Sequence, residues 1–243
     1  MSQQDRIETL VADSSTISPA QWEEIWTLTQ EFYVVERAYM EAELRRRQRI
    51  AFFRMNGALL GMAAIDVLKH DFRGAPIVAI ATSNVLIREN WRGRNLVQKL
   101  GFRTFLAVRL RHPLLPIYWF FDTSSYKSYL LLPRNFRTWW PRFDEPTPEP
   151  VAALMDELAI RAYGPGWRPA RGIVVRSGRK RMHATAAPLE LADDSDPNLR
   201  FFATANPGHA EGDMLICLCP LTPTNWFTLA RRAIARWRRR AAH

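Results

Sequence analysis

The run Asn84-Val85-Leu86-Ile87-Arg88-Glu89-Asn90-Trp91-Arg92-Gly93-Arg94-Asn95-Leu96-Val97-Gln98-Lys99-Leu100 reads as an apolar strand, a short polar loop around a glycine, and the start of a helix. No other stretch constrains the chain as much. A strand that turns into a helix across a polar loop gathers loop amides and a helix N-terminus at one point. The helix dipole favours negative charge there, and many folds hold a pyrophosphate in this way.

The flanking pattern extends the reading on both sides. Ile7 to Ala12 reads as a first strand. Ser18-Pro19 marks a helix start, with Ser18 as cap, Pro19 in the first turn, and Glu23 and Glu24 close behind. Trp22, Ile25, Trp26, Phe32 and Tyr33 recur at helical spacing, and the pattern runs to about Arg47. No Gly or Pro divides it, so one helix and two packed pieces both remain open. Ile50 to Met55 and Ala58 to Leu68 read as strands joined by Asn56-Gly57, a strong hairpin signal. Ile77 to Ile87 reads as a strand too. After the glycine loop, Val97, Leu100, Gly101, Phe105 and Val108 mark one helical face and Phe102, Leu106 and Leu110 a second. That pattern predicts a well-buried helix. Ile117 to Phe121 reads as another strand, and Ser124 or Ser125 caps a helix through Leu132. The order is that of a mixed α/β chain with a central sheet.

Composition narrows the function classes. A chain of 243 residues with 47% apolar content buries a substantial core without staples. Cys217 and Cys219 stand two apart in an apolar run, so on a strand they share a face, which argues against a disulfide between them. Two cysteines do not make a zinc site, and no metal is expected. They read as reduced core residues of a cytoplasmic protein. Met1 to Arg6 lacks the form of a signal peptide, and no apolar segment is long enough to predict a membrane span. His70, His112, His183, His209 and His243 form no pattern, and no nucleophile elbow is present.

The strand, helix, hairpin, strand, loop and helix order, with Trp91-Arg92-Gly93-Arg94-Asn95-Leu96-Val97 at the loop, resembles the GCN5-related N-acetyltransferase (GNAT) superfamily. The likeness covers about residues 7 to 136. It implies a central mixed, mostly antiparallel sheet flanked by helices, here with a C-terminal extension. It also implies a thioester donor, carried by coenzyme A or an acyl carrier protein, and an amine acceptor. Arg92, Gly93, Arg94, Asn95, Leu96 and Val97 would take the pyrophosphate, and the main chain of Val85, Leu86 and Ile87 the pantetheine arm. Asn95 and Val97 stand where the family places glycines. Asn tolerates a left-handed backbone, whereas Val97 adds a β-branched side chain.

Acyl transfer to an amine needs a base, a polarised carbonyl, an oxyanion donor and a proton for the leaving thiolate. The resemblance implies a tyrosine acid on the helix after Ile117 to Phe121, where Tyr126 and Tyr129 stand three apart in number. Tyr129 is preferred because an aromatic, Phe136, comes after it. The strand Ile77 to Ile87 lacks the carboxylate often found there and offers only Thr82, Ser83 and Asn84, which can order a water. Asp122, at the end of the next strand, and Asp66, on the hairpin, are the candidate bases.

The organisation expected is a donor-binding core over 1–136, a continuation of the same domain over 137–223, and a basic amphipathic helix over 224–243. Pro133 to Pro150 reads as an aromatic loop, with Phe136, Trp139 and Trp140 among Arg134, Arg137 and Arg142. Val151 to Tyr163 reads as a helix, Gly172 to Val175 and Asp213 to Leu218 as strands, and Arg176 to Asp196 as loop-rich. Thr224 or Asn225 caps the last helix. That helix puts Trp226, Leu229, Ala230, Ala233, Ile234 and Trp237 on one face and Arg231, Arg232, Arg236, Arg238, Arg239 and Arg240 around the rest. Much of the net charge of +10 therefore sits at one end. Docking on the body and contact with an anionic membrane surface rank equally for this helix, and nucleic acid ranks third. The reading is an N-acyltransferase, cytoplasmic and peripheral on the inner membrane through its tail. A non-catalytic binding protein on a degenerate scaffold of the same kind is the alternative.

Overall fold

The computed structural model describes residues 6–183 and 195–241, with the backbone alone at 233 and 236–241. Residues 1–5, residues 184–194 of the polar span, and residues 242–243 lie outside the described residues. So do the side chains of Ala233, Arg236, Trp237, Arg238, Arg239 and Arg240. The chain is mixed α/β. The strands are β1 (Glu8–Asp13), β2 (Tyr33–Val35), β3 (Arg49–Met55), β4 (Ala58–Phe72), β5 (Ala75–Ile87), β6 (Ile117–Thr123), β7 (Trp167–Arg168), β8 (Ile173–Val174), β9 (Lys180–Met182) and β10 (Met214–Pro220). The helices are α1 (Pro19–Gln30), α2 (Arg37–Arg45), α3 (Leu96–Arg111), α4 (Tyr126–Tyr129), α5 (Leu131–Asn135), α6 (Glu149–Tyr163), α7 (Pro197–Ala205) and α8 (Pro223–Ala241).

Eight strands form one sheet in the order β1-β3-β4-β5-β6-β10-β8-β7, and β2 and β9 form a separate ribbon. Every pair in the large sheet is antiparallel except β5 with β6, which α3 joins by a crossover. Side chains alternate across the sheet with the period of two that strands impose. Val78, Ile80, Leu215, Cys217 and Cys219 face the core under α3. Ile77, Ala79, Ile216 and Leu218 face the core under α6. Ile50, Phe52, Met62 and Ala64 meet α1 and α2. Both cysteines are free, buried and on one face.

Local chemistry explains most boundaries. Ser18 and Gln21 form a reciprocal capping box at the start of α1, so Gln21 does what an acidic residue often does there. Asn56 and Gly57 take φ values of 50° and 80°, as the two-residue hairpin turn requires. The helical pattern after Ser18 divides without Gly or Pro. Tyr33–Val35 pairs with Lys180–Met182, and that pairing turns the middle of the pattern into strand. Arg176 to Asp196, expected as loop, therefore contributes β9, and the segment after it contributes α7 with Asp196 as its cap.

Two expectations are corrected. The α3 helix is buried on the stripe Leu96, Leu100 and Val108, but its second apolar face is open: Phe102, Leu106 and Leu110 are 51%, 45% and 75% exposed. Trp226 of α8 comes against one edge of that face, with its ring centroid 4.2 Å from Phe105 and 5.6 Å from Phe102. The cap of α8 is Thr222, whose hydroxyl accepts from the Asn225 amide, because Pro223 takes the first helical position. Asn225 is freed for another task. Its Oδ1 accepts from the amides of Arg137 and Thr138, and its Nδ2 donates to the carbonyls of Thr138 and Pro220. Arg232 adds donation to the Pro133 carbonyl. The first half of α8 is therefore docked on the body, while Phe227 and Ile234 are exposed. Among the described residues, no helix is long and apolar enough to cross a membrane.

Asn225→Ala removes all four of these buried hydrogen bonds and leaves their partners unpaired. The expected cost is about 3 kcal/mol or more, read as a lower urea midpoint with an unchanged slope.

Candidate active site

The β5–β6 pair runs in parallel register from Val78 and Ile117 to Thr82 and Phe121 and stops. Beyond it, β5 continues to Ile87 paired with β4 alone, and β6 ends at Thr123. The two strands part, and a cleft of about 340 Å³ opens beyond their carboxyl ends. Open sheets with such crossovers bind ligands at this place.

Three elements meet in the cleft. The first is a bulge in β5. Met62 pairs with Leu86 and Ala64 with Ser83, so Asn84 and Val85 together oppose Ala63. Asn84 takes a φ of 50° to make this possible. A bulge of this kind leaves residues outside the ladder and bends the strand beyond them in a new direction. The second element is the loop. Gly93 at φ 78° and Asn95 at φ 57° both adopt the left-handed backbone, and Asn95 leads directly into α3. Arg92 Nε donates to the Ile87 carbonyl at 3.2 Å, and the Arg94 guanidinium lies 4.4 Å from the Trp91 ring centroid. The first turn of α3 carries no acidic residue, so its positive end stands uncancelled. Val85 to Ile87 and Arg92 to Val97 all line the cleft.

The third element is a wall of paired charge. Glu43 of α2 accepts from Arg176 Nη2 at 2.7 Å and from Lys180 Nζ at 3.1 Å. Asn84 donates to Glu43 Oε1 and accepts from Lys180. Burial alone would raise the Glu43 carboxyl. The Lys180 and Arg176 charges outweigh it and hold the group well below its ordinary value. Burial pulls the Lys180 ammonium down, and Glu43 opposes that pull. Burial pushes the Tyr33 hydroxyl in the same wall up to about 12. Gly212 lets this wall close. At φ 90°, a Cβ there would stand 1.9 Å from the Lys180 carbonyl oxygen.

Asp122 lines the cleft with its side chain only 6% exposed. Its Oδ2 is 3.9 Å from Arg176, and its Oδ1 is buried without a hydrogen-bond partner among the described residues. The other named candidates sit elsewhere. Tyr129 is fully buried, its hydroxyl donates to the Pro141 carbonyl at 3.0 Å, and its ring packs on Phe201 and Phe202. Tyr126 is partly buried against the core under α3. Neither lines the cleft. The expected single helix is two short pieces, and the α4 residues it turns to the cleft are Lys127 and Ser128. Asp66 accepts from the Gln48 amide and pairs with Arg47, so it is occupied in the fold. Thr82, Ser83 and Asn84 do line the cleft. Among the described residues, no group of His, Cys, Asp and Glu is placed to hold a metal ion.

Glu43, Arg176, Lys180 and Tyr33 were not apparent from the sequence. Glu43 lies on a helix otherwise marked by surface charge, and the two cations lie in a span read as loop. Their common signal is three-dimensional, since Glu43 and Lys180 are 137 residues apart.

No family model matches the chain, and no curated protein matches it either. Solved structures do. An aminoglycoside acetyltransferase from an uncultured soil metagenomic sample is 14% identical, with a TM-score of 0.41 over 59% of this chain and 99% of that one. A Trypanosoma brucei acetyltransferase is 18% identical, with a TM-score of 0.38 over 58% and 100%. An Enterococcus faecalis protein described as a probable N-acyltransferase is 12% identical, with a TM-score of 0.38. That match covers 51% of this chain and spans 31% of the other.

Glu43→Gln leaves two buried cations short of a counter-charge, with an expected loss of about 3 to 5 kcal/mol at neutral pH. Glu43 titrates below its ordinary value of 4.5 when folded, so its contribution is complete above that pH and declines as pH falls further. The stability gap between the native protein and the variant is expected to stay constant from pH 7 to 5 and to narrow below 4.5 in urea titrations.

Proposed function

We propose that the protein is an N-acyltransferase of the GNAT type, moving an acyl group from a coenzyme A thioester to an amine. One observation carries the reading. A single cleft joins the bulge of β5, the Trp91 to Gln98 loop with the start of α3, and the buried carboxylate of Asp122. The loop and helix end suit a pyrophosphate, the bulged strand suits an extended pantetheine arm, and Asp122 lines the same cleft as both.

Arg92, Gly93, Arg94, Asn95, Leu96 and Val97 hold the pyrophosphate through amides, the positive end of α3 and the two guanidinium groups. The main chain of Val85, Leu86 and Ile87 holds the pantetheine arm, which explains why apolar side chains serve there. The fit is supported by Asn95. It supplies the left-handed backbone that a glycine supplies elsewhere, so the loop reaches the helix without a clash.

In the reaction, the Asp122 carboxylate takes a proton from the acceptor ammonium or holds the water that does. The free amine nitrogen bonds to the thioester carbon and the carbonyl becomes an oxyanion. The nitrogen, now positively charged, gives its second proton to water, and collapse of the oxyanion breaks the carbon–sulfur bond to leave a neutral amide and a thiolate. An ordinary thiol has a pKa near ~8.5, so the departing thiolate needs only a weak acid. The Lys127 ammonium and water ordered by Ser128 supply that proton. Arg176, 3.9 Å from the Asp122 carboxylate, orients it, and Glu43 in turn fixes Arg176.

Asp122→Asn is expected to slow thiol release with a reactive amine by about 10²-fold or more. Binding of acetyl-CoA, measured by titration calorimetry, should change less than ~2-fold, because the carboxylate acts on the amine. Failure of the native protein to bind any coenzyme A thioester would overturn the proposal.

A further inference from the structure

The geometry points to a second chamber, behind the cleft, as the seat of the acyl chain, sized for about four to six carbons. The donor is then a short- to medium-chain acyl-CoA and not acetyl-CoA. This inference rests on the acyltransferase reading above.

The chamber measures about 120 Å³ and is walled almost wholly by apolar side chains. Ile65 and Ile80 of the sheet form one side, Leu100 and the half-exposed Phe102 of α3 another, and Trp226 and Leu229 of α8 line it as well. Thr82, Val97, Gln98, Trp119 and Leu131 line both the chamber and the cleft, so the two spaces share a threshold. Trp119 Nε1 donates to Thr82 Oγ1 at 2.8 Å across that threshold. The pair satisfies its own polar atoms and presents hydrocarbon with no unpaired group. Trp119 is only half-buried although both neighbours of β6 are in place, which is expected of a ring that borders an open space.

Gly101 is the second observation. It lies inside α3, where helix propensity disfavours glycine, and its backbone needs no positive φ. A Cβ added there would meet no atom within 4 Å, and the residue lines the chamber. The absent side chain leaves room that no neighbour fills. An apolar cavity of ~150 Å³ stays dry and takes up a benzene ring, so a slightly smaller one suits a chain of four to six carbons. Val97 fits the same picture. Its apolar side chain lines both the cleft and the chamber.

The test is titration calorimetry on the full chain with coenzyme A, acetyl-CoA, butyryl-CoA, hexanoyl-CoA and decanoyl-CoA. Each buried methylene is worth roughly a factor of four, so hexanoyl-CoA is expected to bind at least ~10-fold tighter than acetyl-CoA, with no further gain for decanoyl-CoA. Gly101→Leu fills the chamber, and the hexanoyl-to-acetyl ratio should fall to about one. Gly101→Ala, which favours the helix, should give an intermediate ratio and serves if the leucine variant does not fold. Equal affinity of the native protein for acetyl-CoA and hexanoyl-CoA, or an undiminished ratio in the folded variants, would overturn the chamber assignment while leaving the donor reading in place. No binding of coenzyme A or any thioester would overturn the donor reading itself.

Discussion

The other neighbours in the large sheet run antiparallel, so the β5–β6 pair forces the chain to leave the sheet, cross over it as α3 and return. The pair also has to end early, because β5 stays with β4 while β6 turns into α4. From those two requirements come the position of the loop, the direction of the α3 dipole and the gap between the strands. The bulge at Asn84 and Val85 sits just beyond the last paired residue, Thr82, where the strand is free to bend. The side chains that line the cleft are placed by this divergence more than by any contact among themselves.

The charged wall answers a different problem. A parting of strands exposes the interior to water, and something must seal the side away from the loop. The seal is made by β2, β9 and the Glu43, Arg176 and Lys180 cluster. Such a cluster is a weak source of net stability, since each ion loses its hydration. Its gain is in geometry. Two cations share one carboxylate, Asn84 ties the group to the bulge, and the remaining reach of Arg176 extends to Asp122. Hydrogen bonds thus hold the wall together, and the charge of the same Arg176 reaches the candidate base.

What the sequence made legible was local. Ser18 with Gln21, Asn56 with Gly57, and the loop ahead of Leu96 each carry their own instructions in adjacent residues, and strand alternation placed Cys217 and Cys219 on one face. What it hid was set by partners far along the chain. Tyr33 to Val35 is helical by spacing and extended only because Lys180 to Met182 pairs with it. The open face of α3 looked buried because hydrophobic spacing does not tell how many neighbours arrive. Tyr129 looked like a cleft residue on a continuous helix. The division into α4 and α5 instead turns its ring to Phe201 and Phe202 of α7, an element the polar sequence before it gave little reason to expect. Asp122 was visible from its position at a strand end. Its burial beside Arg176 was not.

The ribbon of β2 and β9 has a consequence for how the molecule is made. The loop, the bulge and α3 come from one contiguous stretch and gain their shape from near neighbours. The wall opposite them waits for residues near 180, and Glu43 has neither Arg176 nor Lys180 to meet until those residues leave the ribosome. Contacts of such separation form late, because closing a long loop costs entropy before it returns any. A nascent chain therefore carries a nearly finished loop and α3 beside a carboxylate still in water. The cleft gains its charged wall only when the second half of the protein arrives to neutralise that carboxylate.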